Sequence, residues 1–366
     1  MIPVTKSFLP PIEEYMAQVQ RAYDNVWLTN RGELVIELEQ KLTDYLDLNE
    51  SKIICMSNGT IPLQIALKLL GNEGEIITTP FSYVATTAAI VWEKCTPVFV
   101  DIHPEYLTID ETLIEAAITE KTTCILATHV FGNPCNIEEI ERIAKKHNLK
   151  VIYDAAHCFG VKYKGKSIFE YGDVSTCSFH ATKLFHTGEG GAVFCKDPEL
   201  FQKIYYSHNF GHNGPIDFHG LGINGKISEL QAAMGLAVLP YMKDILKGRE
   251  KAVKTYLNKL KIDFQILKLR EEKNWNYSYF PIVFRSESLL LNAELNLNTK
   301  GIYARRYFYP SLSKLPYSNS HSNTFSISDN IASRILCLPL YAAITQLELD
   351  SICEIINSSL KNSNYL

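Results

Sequence analysis

The sequence predicts an α/β fold, with a mostly parallel central sheet, helices on both of its faces, and a smaller C-terminal α+β domain. Three observations predict it. Strand-like and helix-like segments alternate from residue 61 to residue 157, and such alternation makes parallel sheets covered on both faces. The alternation stops near residue 195. The 366 residues divide into about two domains at roughly 150 residues each.

The elements follow in order. IPLQIALKLL (61–70) has helical spacing and is stopped by Gly71. EIITTPFSY (75–83) is a short strand running into a loop, ATTAAIVWEK (85–94) a helix and TPVFVDI (96–102) a strand. ETLIEAAIT (111–119) is helical and TCILATHVFG (123–132) a strand. IEEIERIAKKHN (137–148) carries acids early and lysines late, which suits the helix macrodipole. LKVIYDAAH (149–157) is a strand entering a loop. Ligands of such sheets sit beyond the carboxyl ends of the strands. Asp101, His129, Asp154 and His157 therefore stand where chemistry is expected, although Asp101 reads as a helix or loop cap. Residues 207–225 are a glycine- and histidine-rich loop, followed by helices over 226–245 and roughly 248–260. The domain boundary is expected near residue 247, giving a large domain 1–247 and a small domain 248–366.

Composition excludes several classes. With 36 basic and 40 acidic side chains the net charge is −4, so a dedicated binder of nucleic acid or an anionic membrane is not expected. The N-terminus is broken by prolines and acids and does not read as a signal peptide. No apolar run reaches the ~18 residues needed to span a bilayer. The nine cysteines form no C-x-x-C pair, which argues against a disulfide framework or a zinc site and for reduced thiols in a cytoplasm.

Two glycine motifs mislead. Gly160-x-x-x-x-Gly165-Lys166-Ser167 has the letters of a phosphate loop. That loop needs a strand before it and a helix after it, whereas VKYKGKSIF reads as a β-hairpin with Lys162 and Lys164 on its wet side. Gly220-x-Gly222-x-x-Gly225 has the letters of a dinucleotide fingerprint but follows a polar loop. It does lead into a helix N-terminus, which could serve one phosphate.

The informative stretch is 151–191. Asp154 closes an apolar strand, a second strand ends in Ser178-Phe179-His180, and Lys183 and a glycine cluster follow. A lysine there either snorkels to solvent or is a Schiff-base lysine whose pKa falls on desolvation. A pyridoxal phosphate (PLP) site needs that lysine, a carboxylate for the pyridine nitrogen, an aromatic or imidazole against the ring, and phosphate donors. The chain offers Lys183, Asp154, Tyr83 or His157, and Asn58-Gly59-Thr60 with Ser178.

At these residues the chain resembles the DegT/DnrJ/EryC1/StrS family of sugar-nucleotide aminotransferases, PLP enzymes of fold type I (aspartate aminotransferase-like). The motifs are WLTNRGELVIELEQKL, CMSNGTIPLQIAL, TPFSYVATTAAI, PVFVDI, HVFGNP, YDAAHCFGVKYKGK, SFHATKLFHTGEGG and GINGKISELQAAMGL. Within the family it is most similar to members that aminate C4 of dTDP-4-keto-6-deoxy-D-glucose, through IPVTKSFLPP, FGNPCNIEEIE and RRYFYPSL. The resemblance implies a transfer from L-glutamate giving dTDP-4-amino-4,6-dideoxy-D-glucose for a surface polysaccharide, such as an O-antigen, or another glycan.

It also implies roles. Lys183 carries the cofactor and then moves the proton. Asp154 pairs with the pyridine nitrogen, His157 lies near the ring, and Tyr83 stacks on it. Gly59, Thr60 and Ser178 hold the phosphate. Asn224 reaches the phosphate of a neighbouring subunit, making a homodimer with composite sites; as a bare residue it could equally cap the following helix. Lys226 departs from the arginine of many members. On the substrate side stand His180, Arg305 and Arg306 for the diphosphate, Tyr309 for the sugar or base, and Thr29 and Asn30 in the N-terminal loop. The competing expectations are a 3-aminotransferase of a 3-keto-6-deoxy nucleotide sugar and a non-catalytic PLP-fold regulator. A PLP-dependent dehydratase, in which histidine replaces the lysine, is disfavoured by Lys183.

Overall fold

The structure is a computed structural model that describes residues 1–261, 264–318 and 325–361. Its centre is a seven-stranded sheet in the order Lys52–Met56, Gly191–Cys195, Val174–Ser178, Lys150–Asp154, Thr122–Thr128, Glu75–Thr78, Thr96–Phe99. All strand pairs are parallel except those of Gly191–Cys195, which is antiparallel to both neighbours. Successive residues of one strand feed opposite cores. Ile152 packs on one face with Leu126, Val174 and Leu63, whereas Val151 and Tyr153 pack on the other with Ala127, Phe194 and Leu38. This double burial is why the strands read as continuous apolar runs.

The expected helices and strands up to residue 157 are present, mostly shorter than the apolar runs that announced them. Thr96–Phe99 ends before Asp101, and Thr122–Thr128 ends before His129. Residues 111–119 form one α-turn, Glu111–Ile114, and a 3-10 turn, Glu115–Ala117. Asp101 is a cap, but for a distant helix. Its Oδ1 accepts from Ser328 N–H at 2.8 Å and its Oδ2 from Ile327 N–H at 3.0 Å. It thereby closes the N-terminus of Ser326–Arg334 and joins the two parts of the chain.

The hairpin reading of 161–169 holds. Lys162–Tyr163 pairs antiparallel with Lys166–Ser167 around Lys164 (φ 48°) and Gly165 (φ 83°), the left-handed pair that a tight two-residue turn requires. Lys162 and Lys164 face outward and pair with Asp47 and Glu138.

The helices after residue 225 are divided differently from expectation. The first is Glu229–Val238, opened by a capping box between Ser228 and Gln231. Pro240 lacks an N–H to continue the ladder, and a 3-10 turn, Leu239–Tyr241, replaces it. The next helix, Met242–Lys259, runs unbroken across the expected boundary at 247. The change of core falls inside it: Ile245 packs with the large core and Ala252 with the C-terminal one. That second core covers the sheet Gln265–Ile266, Phe280–Val283 and Ile335–Leu338. The chain's first strand, Ile2–Pro3, pairs with Ile302–Tyr303 and so joins the C-terminal part. A bridging cluster includes Phe81, Val130 and Phe131 with Tyr279, Phe308 and Ile331. No helix among the described residues is long and apolar enough to cross a membrane.

Candidate active site

A cavity of about 260 Å³ opens at the carboxyl edge of the sheet. Around it stand Gly59, Thr60, Tyr83, Asp154, His157, Ser178, His180, Lys183 and Arg305. Gly59, Tyr83, Asp154, His157 and Lys183 meet here because the parallel strands deliver their carboxyl ends to one edge, and Arg305 arrives from the C-terminal part of the chain.

Asp154 lies at the dry back of the cavity, where the strand Lys150–Asp154 ends. Its Oδ2 accepts from Thr86 Oγ1 at 2.8 Å and its Oδ1 from Ala156 N–H at 3.1 Å. Burial pushes this carboxyl up, against the pull of those two donors and of Lys183. Thr86 is held in turn, since Ser82 Oγ lies 2.8 Å from its hydroxyl and 3.1 Å from that of Thr128.

Lys183 is half-buried after the strand Val174–Ser178. Desolvation pushes its ammonium down, while Tyr307, Asp154, Cys177 and Tyr83 oppose the fall. Among the described residues its Nζ has no hydrogen-bond partner, and it stands 5.7 Å from the centre of the Tyr279 ring. The snorkelling alternative is thereby set aside, because the amine points into the cavity.

His157 is buried, and its Nδ1 accepts from Phe131 N–H at 3.1 Å. Burial, then the nearby Lys183 charge, push its pKa well below the usual histidine value. The imidazole is therefore neutral, with its proton on Nε2. It lies nearly parallel to Phe308, at 6.0 Å and 9°. Tyr83, half exposed, sits on the cavity wall as the residue before the helix Val84–Trp92.

The helix Thr60–Leu70 aims its N-terminus at the cavity. Gly59 is required there, because a Cβ would come within 2.7 Å of Ser178 Cβ. Asn58 Oδ1 takes the N–H groups of Thr60 and Ile61, each at 2.9 Å. What this corner leaves for an anion is the Gly59 amide with the Thr60 and Ser178 hydroxyls. Such a set, on a helix N-terminus, suits a phosphate.

On the substrate side the residues divide. His180 lines the cavity, with Nδ1 2.8 Å from Thr182 Oγ1 and Nε2 3.5 Å from Glu189 Oε1. The Arg305 guanidinium lies 4.9 Å from the centre of the Tyr307 ring at the cavity wall. Arg306 is turned away from it: its Nη2 donates to Glu287 Oε1 at 2.6 Å and to Ser333 O at 2.8 Å. Tyr309 stays beneath it, 3.7 Å from its guanidinium, and the pair lies outside the cavity. Thr29 and Asn30 are on an exposed turn outside the cavity of their own chain. Glu229 fastens that turn by accepting from Gly32 N–H at 2.9 Å and Leu34 N–H at 2.7 Å. Asn224 is also exposed and outside it, with its Oδ1 taking the Lys226 ammonium at 2.8 Å. It does not cap the helix, since Ser228 does.

Thr86, Glu189, Tyr279, Tyr307 and Phe308 were not anticipated, and Asn58, expected among the phosphate donors, instead spends its Oδ1 on the Thr60 and Ile61 N–H groups. Thr86 carried one signal, since it stands one helical turn beyond Tyr83 and so shares its face. Tyr279 and Phe308 carried none, because nothing local tells an aromatic in a distant segment that it will meet His157.

Residues 11–357 match the DegT/DnrJ/EryC1/StrS aminotransferase family. The chain belongs to this family. A dTDP-4-amino-4,6-dideoxy-D-glucose transaminase of Shigella dysenteriae is 42% identical over 362 residues, covering 96% of this chain and 97% of its own. A transaminase of the same name from Escherichia coli is 38% identical and covers 94% and 95%. The crystal structure of DesI in the presence of its TDP-sugar product superimposes with a TM-score of 0.92 at 27% identity, covering all of this chain and 95% of that one. The protein is thus an aminotransferase whose cofactor is pyridoxal 5′-phosphate. The cavity fits that group: an unpaired desolvated amine, a buried carboxylate, flanking rings and an anion corner converge in it.

Proposed function

We propose that the chain transfers the amino group of L-glutamate to C4 of dTDP-4-keto-6-deoxy-D-glucose, giving dTDP-4-amino-4,6-dideoxy-D-glucose. The observation that carries this reading is the convergence of Lys183 and Asp154 in one cavity of a chain 42% identical to a transaminase of that name. The cofactor, when bound, supplies an electron sink for the carbon that bears the amine.

The chain's residues do the rest. Lys183 Nζ holds the cofactor and, once free, carries the proton between the substrate carbon and the cofactor. A desolvated lysine suits this, because a base works best with its pKa near the operating pH. Asp154 Oδ1 and Oδ2, fixed by Ala156 and Thr86, keep the pyridine nitrogen protonated. His157, fixed by the Phe131 amide, keeps its Nε2–H free to donate beside the ring. Gly59, Thr60 and Ser178 hold the phosphate, and Tyr83 lies against the ring. Arg305 and His180 receive the sugar nucleotide.

Asn224, Thr29 and Asn30 lie outside their own cavity, and in this reading they complete the site of a second copy. The working unit is then a homodimer. Nine free cysteines suit a reducing cytoplasm, and the product suits surface-polysaccharide assembly.

The reading is tested by incubating the purified protein with L-glutamate and the 4-keto sugar nucleotide. An amine on C4, assigned by NMR, is the expected product. In a parallel incubation with the 3-keto sugar nucleotide, an amine on C3 without turnover of the 4-keto sugar points to the 3-aminotransferase, and turnover of neither sugar points to a regulator.

A further inference from the structure

Residues 276–279 come from the C-terminal part of the chain, and of these Tyr279 lines the cavity with Lys183. Asn276 Nδ2 donates to the carbonyls of His157 at 2.8 Å and Phe159 at 3.0 Å, while its Oδ1 accepts from Ser278 N–H at 3.2 Å. Tyr279 follows and is 4% exposed. Its ring is fixed from three sides: His157 at 4.8 Å, Tyr307 nearly perpendicular at 5.3 Å, and Phe131 at 6.0 Å. Lys183 Nζ lies 5.7 Å from the centre of this ring.

We propose that Tyr279 is a positioning residue for the transfer, its ring face holding the protonated Lys183 amine in place whenever that amine is free of the cofactor. The proposal rests on Lys183 being the cofactor's lysine. An aromatic face attracts a cation within about 6 Å of its centre, more strongly where water is excluded. Burial alone pushes the Lys183 ammonium down. Asp154, Tyr83 and Tyr307 line the same cavity and, with Cys177 behind it, favour the charge, whereas His157 is neutral and Arg305 brings a second cation to the cavity wall. Asp154 is committed to the pyridine nitrogen and cannot follow the lysine. The ring face asks for no proton in return, so it aligns the amine without competing for what it carries.

Two variants separate the ring face from the hydroxyl: Tyr279→Phe keeps the face and Tyr279→Leu removes it. The first readout is the pKa of Lys183 in cofactor-free protein, from pH-dependent acylation followed by mass spectrometry. Tyr279→Leu should lower it by roughly 0.5–1.5 units, while Tyr279→Phe stays near wild type. The second is the pH profile of kcat in the loaded enzyme, whose acid limb should move the same way in Tyr279→Leu and be restored in Tyr279→Phe. An unmoved lysine in Tyr279→Leu overturns the proposal, as does an equal shift in both variants. If Tyr279→Leu fails to fold, Tyr279→Phe carrying increasing ring fluorination should lower the pKa stepwise, and a flat series is equally fatal. The acylation needs no cofactor. A protein that shows the shift yet fails to take up PLP refutes the aminotransferase reading and not the contact.

Discussion

At the scale of single residues, charge in a dry place is what the sequence disclosed and what the site uses. Asp154 and Lys183 stood out because each interrupts or ends an apolar run, where an unpaired charge is costly. Their partners did not stand out. Thr86 reads as a neutral helix residue, yet its hydroxyl supplies one of the two hydrogen bonds on Asp154. Removing it with Thr86→Val should weaken cofactor binding about tenfold, the worth of one hydrogen bond to a charged group, as measured by equilibrium dialysis of PLP. Lys183→Ala should still bind PLP but not turn over, and normal activity in that variant would refute its assignment. Arg305 and Arg306 show the limit of reading pairs. Adjacent residues in an extended segment point to opposite sides, and here Arg305 meets the cavity while Arg306 meets Glu287.

At the scale of elements, periodicity and breakers located most of the large domain, and misplacements have identifiable causes. Gly191–Cys195 is buried along its whole length, so its run carried no alternation to read, and its antiparallel insertion is a tertiary choice. The helix pair after 225 divides near Pro240, which cannot continue the ladder, and not near 246 as the apolar spacing predicts. Gly248 sits in mid-helix because a Cβ there would come within 2.4 Å of Ala342 O. Capping side chains set two other starts, Ser228 for Glu229–Val238 and Asp101 for Ser326–Arg334. Replacing either by alanine should cost about 1 kcal/mol, the usual loss for a cap, in urea unfolding. Asp101→Ala should cost more than Ser228→Ala, because Asp101 also ties one part of the chain to the other.

At the scale of the whole molecule, the fold buries groups whose titration then governs stability. His129 and His208 are pushed down to about 3 and about 4 by burial, from an ordinary value of 6.5. Below that ordinary value the unfolded chain binds protons that the folded one does not, so stability must fall as pH falls. Each histidine should contribute a loss approaching about 1.4 kcal/mol per pH unit below 6, visible as a falling Tm between pH 6.5 and 5. A flat Tm there would contradict the burial. Assembly is tested by mixing. Lys183→Ala and Asn224→Ala should each be inactive alone, and after joint refolding should regain about a quarter of wild-type activity, because half the dimers then carry one intact composite site. No recovery would place Asn224 outside the neighbour's site. Periodicity and spacing within one chain do not single out Asn224; only the resemblance named it.

Lys183 and Asp154 should make a working PLP site that accepts an amino-acid donor. The visible absorption spectrum of the purified protein, before and after adding L-glutamate, tests it most directly. A yellow band that bleaches when glutamate is added is the expected result. A protein that stays colourless with added PLP, or a band that glutamate leaves unchanged, would contradict it.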